Sequence, residues 1–272
     1  MNELLFNAAV AEFESGHFGS CASLCRTALA SDPGAENVLT LLAMALHAAG
    51  DLNGAADAFA ELTRIRPDVG EYHANLGLML RHLGRHEEAE ARFRHALTLP
   101  HAVEGTLVNY GLLLLDMGRV SDARHRFLDA CELGDSADAR IYAALTCIDC
   151  GDTRRAQSLI PPRDSWLTLD PSLRGELTKA LIQLGQVEDA ESLLAIDAQQ
   201  GDPVAMVRLA TLHERTNRVD SASSLLARAV DHPGDTTDTD AERLSLEAAL
   251  AMRDKDYTRA RDATRTLLQL DN

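Results

Sequence analysis

Small side chains recur along this chain at a spacing close to 34 residues, and this recurrence restricts the fold more than any other feature. Counted within a unit, position 20 is Cys21, Ala55, Ala89, Ala123, Ala156, Ala190, Ala222 and Ala260. Position 8 is also small: Ala9, Ala43, Gly77, Gly111, Ala144, Thr178, Ala210 and Ala248. Small residues at two fixed positions let two helices approach closely, and we expect these positions to face each other. The pattern predicts eight helix pairs, which begin near Asn2, Glu36, Gly70, Glu104, Ala137, Pro171, Pro203 and Ala241.

A second pattern marks the turn inside each pair. Position 15 is Gly16, Gly50, Gly84, Gly118, Gly151, Gly185, Asn217 and Lys255. Glycine, and after it asparagine, enters the left-handed conformation with which helices commonly end. The column therefore predicts that each first helix ends here, with Lys255 as the departure. Position 24 is apolar in the first seven units and is Thr264 in the eighth.

The unit from 70 to 103 carries a family resemblance. It has seven matching residues, at positions 4, 7, 8, 11, 20, 24 and 27: His73, Leu76, Gly77, Leu80, Ala89, Phe93 and Ala96. With these residues the sequence resembles the tetratricopeptide repeat family. The resemblance implies an all-α superhelical solenoid of about eight helix–turn–helix repeats. The N-terminal half also resembles the repeat regions of O-GlcNAc transferase-like and bacterial repeat-containing sulfotransferase proteins.

Two places interrupt the repeat. Pro161 and Pro162 should shorten the second helix of the fifth unit, and we expect 163–170 to be irregular, with Trp166 covering the gap. This predicts a block of about four and a half repeats (1–160), a proline-rich junction (161–170) and a block of about three repeats (171–272). The acidic stretch 231–240 is predicted to be a loop.

Charge and composition exclude several classes of function. The formal net charge is −16, and an acidic surface repels phosphate backbones, so we expect no nucleic-acid partner. No apolar run reaches the about 20 residues needed to cross a bilayer, and the first residues do not resemble a signal peptide. Five scattered cysteines are not a disulfide framework. We predict a cytoplasmic protein without a membrane partner.

The resemblance also implies a binding surface, because in the family positions 2, 5, 6, 9, 12 and 13 of the first helix face a groove. Position 6 is Asn7, Asn75 and Asn109 in three of the first four units. Amides both donate and accept hydrogen bonds, so such a row can pair with the backbone of an extended peptide. The row is similar to the asparagine ladder of O-GlcNAc transferases. The alternative is that these amides are simply solvated.

Further candidate ligand contacts lie at position 9 and near the end of the first helix of the third unit. Leu78 and Leu112 belong to an apolar stripe that would either grip ligand side chains or pack between neighbouring first helices. Arg81 would contact an anion or lie on a solvated face. Phe6 and Val10 stand where chaperone-tail clamps of the family carry Lys and Asn, so we expect no such clamp.

The sequence offers little support for a catalytic function. Cys147 and Cys150 have redox spacing, but Cys147 falls at a buried helical position and no strand precedes it. His82 and His86 straddle a turn and do not form a zinc motif. We therefore predict no enzyme activity, no metal and no cofactor.

Three functions stay open at this point. The first is an interaction scaffold that binds a protein segment in the groove. The second is the substrate-recruiting region of a larger glycosyl- or sulfotransferase-type enzyme. The third is an assembly factor that self-associates, or contacts a partner, through the final helix with Leu267, Leu268 and Leu270.

Overall fold

The computed structural model describes residues 2–100, 103–231 and 237–270. The described residues form sixteen α-helices and one 3₁₀ turn and contain no strand. The first helices of the pairs are α1 (Asn2–Glu14), α3 (Glu36–Ala48), α5 (Gly70–His82), α7 (Glu104–Asp116), α9 (Ala137–Asp149), α11 (Pro171–Gln183), α13 (Pro203–Arg215) and α15 (Thr237–Arg253). The second helices are α2 (Phe18–Leu29), α4 (Leu52–Ile65), α6 (His86–Ala96), α8 (Val120–Leu133), α10 (Thr153–Leu159), α12 (Val187–Gln199), α14 (Val219–Asp231) and α16 (Tyr257–Leu270).

The predicted all-α fold of eight helix pairs is confirmed, and seven first helices begin at the predicted residue. The exception is α15, which begins at Thr237 and not near Ala241. The predicted loop over 231–240 is therefore wrong at both ends, because α14 runs to Asp231 and Thr237 to Asp240 form the first turn of α15. Acidic residues are favourable near a helix N-terminus, so this acidic stretch suits the start of a helix. Residues 232–236 lie outside the described part.

The turn column has the predicted backbone conformation in every unit. Gly50 has φ +80°, and the other five column glycines are also left-handed. Asn217 and Lys255 adopt the same conformation, with φ +63° and +61°. The eighth turn thus has the same backbone conformation as the other seven, although its residue is Lys255 and not glycine. The left-handed region costs a non-glycine residue roughly 1–2 kcal/mol, which the packing of α15 on α16 must offset.

The two small columns are buried except for Ala248, which is half-buried, and the structure shows what limits their size. All eight residues at position 20 lie in the core. At position 8, a methyl group added to Gly77 would lie 3.1 Å from the ring of Phe93, and one added to Gly111 would lie 2.6 Å from the ring of Phe127. In these two units the apolar residue at position 24 is therefore the direct neighbour of position 8.

The chain divides into two compact units, Met1–Gly151 with α1–α9 and Asp152–Asn272 with α10–α16. In the N-terminal unit each helix packs on the next, and in addition α1 packs on α3, α5 on α7 and α7 on α9. The sequence placed the division after residue 160, whereas α10 groups with the C-terminal unit.

The C-terminal unit opens with the predicted irregular segment. The helix α10 has seven residues, and a 3₁₀ turn, Arg163–Thr168, follows the two prolines. Trp166 is buried, and its Nε1 donates a hydrogen bond to the Pro161 carbonyl at 2.9 Å. The indole therefore covers the place where the helix is cut short.

A buried ion pair fastens this segment to the next repeat. Arg174 on α11 donates from Nε to Asp197 Oδ1 on α12 at 2.9 Å and from Nη1 to the Leu169 carbonyl at 2.6 Å. Both charged side chains are less than a tenth exposed. Asp170 caps α11 by accepting a hydrogen bond from the backbone N–H of Leu173. The segment before α11 is thus held by hydrogen bonds as well as by Trp166.

Candidate binding surface

Equivalent positions of neighbouring first helices share one surface in the N-terminal unit. Two hydrogen bonds between first helices fix this register. Tyr72 Oη donates to Glu36 Oε1 at 2.6 Å, and Arg81 Nε donates to Asp116 Oδ2 at 2.5 Å. We call the surface formed by positions 2, 5, 6 and 9 of α1, α3, α5, α7 and α9 the first-helix surface. It contains the asparagines and leucines that the sequence singled out.

The three asparagines differ in burial. Asn7 is exposed, whereas Asn75 and Asn109 are half-buried. Within the described residues, none of the three side-chain amides has a hydrogen-bond partner. A half-buried amide loses part of its hydration, so it is left with donors and acceptors for which a ligand can compete favourably.

The position-9 stripe combines the two expected roles. Leu78 and Leu112 are half-buried, and Met44 is 46% exposed. These side chains therefore pack partly between first helices and still present apolar area to the surface. Methionine is flexible and adapts to ligand side chains of different shape.

A cleft of about 580 Å³ opens on the first-helix surface between α3 and α5. Its lining consists of Glu36, Asn37, Thr40, Leu41, Met44 and Tyr72. Leu41 and Met44 form the apolar floor, and the Glu36 carboxylate at the rim is also bound by Arg66 Nη1 at 3.2 Å. The sequence did not single out Glu36, Asn37 or Thr40. Positions 2 and 5 of the repeat were the available signal for the last two.

Arg81 is not a free cation. Its guanidinium is largely buried and pairs with Asp116 on the next first helix. An anionic ligand at this place would have to displace that carboxylate. Arg81 remains a predicted ligand contact, and its present partner gives it a role in joining α5 to α7.

The C-terminal unit has its own first-helix cleft, of about 590 Å³, which the sequence did not indicate. It is lined by residues that include Ile182, Arg208, Leu212, Arg215, Leu246 and Leu267. Leu267 is half-buried there, and Leu268 is 61% exposed. The side chain of Leu270 lies outside the described residues. Leu267 and Leu268 therefore differ in exposure.

Three of the five cysteines, Cys21, Cys25 and Cys147, are buried. Burial, followed by the neighbouring Cys21, raises the pKa of Cys25 to about 12. Because the thiolate is the reactive form, Cys25 is not a nucleophile near neutral pH. Cys147 is buried and Cys150 is exposed, so only one thiol of that pair faces solvent.

One cluster has the composition of a catalytic triad. His213 Nδ1 lies 2.8 Å from Ser221 Oγ, and His213 Nε2 lies 3.3 Å from Glu191 Oε1. Arg218 binds both oxygens of Glu191 at 2.5 and 2.7 Å, so the carboxylate already has a cation. In the N-terminal unit Glu90 and Arg119 stand at the same two positions of their repeats and pair at 2.9 Å. The cluster is therefore a contact between repeats.

Neither a metal-binding cluster nor a membrane-spanning helix is found among the described residues. No group of three or more His, Cys, Asp and Glu side chains there is arranged to hold a metal ion. No helix in the same ranges is both long and apolar enough to cross a membrane.

Comparison with known proteins agrees with the repeat assignment. Residues 12–77 and 74–99 match sequence profiles described as tetratricopeptide repeat. No curated protein matches the sequence. These matches and the solved structures below support the tetratricopeptide repeat family.

Several solved structures are similar in fold. A tetratricopeptide repeat protein from Parabacteroides merdae ATCC 43184 is 16% identical with a TM-score of 0.67, and the match covers 90% of this chain and 98% of that one. TTC0263, a thermophilic repeat protein of Thermus thermophilus, is 19% identical with a TM-score of 0.51 over 67% of this chain and 100% of its own. Cut9 with Hcn1, an APC/C hetero-tetramer, is 11% identical with a TM-score of 0.67 over 88% of this chain and 48% of that one. At these identities the likeness shows the fold: a solenoid of tetratricopeptide repeats.

Proposed function

We infer from its tetratricopeptide-repeat fold that this chain is a protein-interaction scaffold, and we propose that it binds an extended protein segment on the first-helix surface of the N-terminal unit. The observation that carries the proposal is the pair Asn75 and Asn109, half-buried amides with no hydrogen-bond partner among the described residues. They stand at the same position of consecutive repeats. Their amides would bind the backbone of the segment, and Asn7 would extend the row.

The cleft beside α3 would give this contact some side-chain selectivity. Leu41 and Met44 form an apolar floor, and Glu36 lies at the rim. An apolar side chain of the segment would enter this cleft, beside a Glu36 carboxylate that already pairs with Arg66 and Tyr72. The net charge of −16 favours a basic partner.

The proposal assigns the protein no catalytic role and a cytoplasmic location, and both remain predictions from the sequence. The alternative role, recruiting substrate for a glycosyl- or sulfotransferase-type enzyme, would use the same surface and the same asparagines.

The experiment replaces both half-buried amides. Partners captured by the wild-type chain are identified by mass spectrometry, and the affinity of a purified partner is measured by calorimetry. Asn75→Ala with Asn109→Ala should weaken that affinity roughly tenfold, because each lost hydrogen bond is worth about 0.5–1.5 kcal/mol and about 1.4 kcal/mol is a factor of ten. Melting should change little, since neither amide bonds within the protein.

Asn53→Ala is the matched control, because Asn53 is an exposed asparagine on a second helix, α4. It should leave the affinity unchanged. Equal binding by the double variant and the control would refute the role of the asparagine row.

A further inference from the structure

The first helix of the chain exposes a face that the inner repeats bury. Positions 3, 7 and 10 of α3 are Val38, Leu42 and Ala45, and all three are buried. In α1 the same positions are Leu4, Ala8 and Ala11, and all three are exposed. At position 3, Val38 is 4% exposed and Leu4 is 76% exposed.

The inner repeats show what covers this face. Tyr110, at position 7 of α7, donates a hydrogen bond to Glu90 on α6 at 2.9 Å. The ring of Tyr110 also stacks on Phe93 of α6, with 5.9 Å between ring centroids. Glu90 and Phe93 are positions 21 and 24 of the preceding unit. The second helix of one repeat therefore covers the first helix of the next through these two positions.

The last helix, α16, presents the complementary positions uncovered. Position 21 is Arg261, whose side chain is 68% exposed, and position 24 is Thr264, also exposed. Leu268 lies one turn further along and is exposed as well. Within the described residues, α16 thus has the surface that a following first helix would cover.

Charged side chains occupy positions 11 and 21 in α1 and α16 and at some inner junctions. Position 21 is acidic at two inner junctions, where Glu90 pairs with Arg119 at 2.9 Å and Glu191 pairs with Arg218 at 2.5 Å and with His213, at position 11, at 3.3 Å. In α16 position 21 is the basic Arg261. In α1 position 11 is the acidic Glu12. Arg261 and Glu12 thus have opposite charges. Position 21 is also basic at one inner junction, Arg124 of α8, and Glu12 lies 3.2 Å from His17 Nδ1 in its own unit.

The charges summed over each of the two helices are also opposite. The helix α1 carries Glu3, Glu12 and Glu14 and no basic residue. The helix α16 carries three arginines, Arg259, Arg261 and Arg265, with Asp262 as its acidic residue. The two helices therefore carry opposite net charges in a chain whose net charge is −16.

We propose that copies of this chain associate head to tail, with α16 of one copy packed on α1 of a second copy in the register of an inner repeat junction. Arg261 pairs with Glu12 of the second copy, and Leu268 packs near Leu4. The contact joins two different surfaces, so it is heterologous, and it propagates into open chains or closes into rings. The occupant of both faces is the same protein.

Sedimentation of the full chain over a wide concentration range tests the proposal. The wild-type mass should rise with concentration and the association should weaken with added salt, which screens the exposed charges. Arg261→Glu and Glu12→Arg should each weaken association at least about tenfold, because each places like charges opposite one another. Arg64→Glu, at a similarly exposed arginine of α4, should associate as the wild type does.

A mixture of the two charge variants provides a second test. The substituted tail of R261E matches the substituted head of E12R, and the unsubstituted head of R261E and tail of E12R keep the wild-type charges. An equimolar mixture should therefore associate as the wild type does, although each variant alone associates weakly. Thermal melting checks that each variant is folded, and the two substitutions lie at opposite ends of the sequence, so one folding failure leaves the other test intact. A wild-type mass that stays monomeric at all concentrations overturns the proposal. So does equal association of R261E and R64E, or a mixture that does not combine.

Discussion

At the scale of single residues, the space between position 8 and position 24 sets how tightly each helix pair closes. Gly77 and Gly111 occupy the same position in consecutive repeats, and each faces a phenylalanine ring. The clearances differ: an added methyl group would lie 3.1 Å from Phe93 but 2.6 Å from Phe127. Real Cβ atoms rarely tolerate the shorter distance, so the two glycines are not equivalent.

This difference predicts different effects of the same substitution. Gly111→Ala should lower the free energy of unfolding by about 1–3 kcal/mol, because the Phe127 ring must move within a packed core. Gly77→Ala should be nearly neutral, because its milder contact is offset by the gain of about 1 kcal/mol in helix propensity. Urea denaturation of the two variants measures both values. Equal losses at both sites would contradict the clearances.

The sequence did not predict how exposed individual side chains are. The spacing placed Asn7, Asn75 and Asn109 at one position of the repeat, but the degree of burial depends on the neighbouring first helix. From the sequence, Arg81 would contact an anion or lie on a solvated face, and the structure pairs it with Asp116, 35 residues away. Such pairings depend on side-chain reach across helices, which a one-dimensional pattern does not contain.

At the scale of elements, the fifth and sixth repeats depend on a polar contact as well as on apolar packing. The helix α10 is too short to cover its neighbours fully, and the 3₁₀ turn with Trp166 takes its place. Arg174 binds both the Leu169 carbonyl before α11 and Asp197 on α12, and the two charged side chains are buried. The prolines predicted the interruption, whereas the ion pair is visible only in the structure.

Breaking the ion pair should therefore be costly. Asp197→Ala leaves the Arg174 guanidinium buried without its carboxylate, and we expect a loss of about 3–5 kcal/mol in the free energy of unfolding. Replacing both residues with leucine should recover most of the loss, because no uncompensated charge remains. Asp189→Ala is the control: Asp189 lies on the same helix and pairs with the exposed Arg163, and its loss should cost at most about 1 kcal/mol. A similar loss for Asp197→Ala and the control would show that burial does not matter here.

At the scale of the whole molecule, net charge opposes the compact state. A formal charge of −16 in 272 residues produces mutual repulsion that exposed ion pairs offset only in part. We expect the free energy of unfolding, measured with urea at a concentration where the protein is monomeric, to rise with added potassium chloride, because salt screens this repulsion. A fall with salt would mean that ion pairs between repeats, such as Glu90 with Arg119, outweigh the repulsion.

The two binding proposals involve different parts of the molecule. The groove proposal depends on Asn75 and Asn109 in the N-terminal unit. Head-to-tail association depends on Glu12 and Arg261 in the terminal helices. The two experiments share no residue, so the failure of one leaves the other standing.

The sequence by itself determined the helix pairs, their phase and their turns. Close approach requires small residues and a helix reversal requires a left-handed residue, and both requirements are local, so they appear at fixed positions from Gly16 to Gly185. The structure alone decided where α15 begins, which amides lack partners, and that Leu267 and Leu268 face different surroundings. It also decided how exposed Leu4 of α1 and Arg261 of α16 are. Those properties depend on which distant side chains come into contact, and contact between distant residues is fixed only when the helices pack.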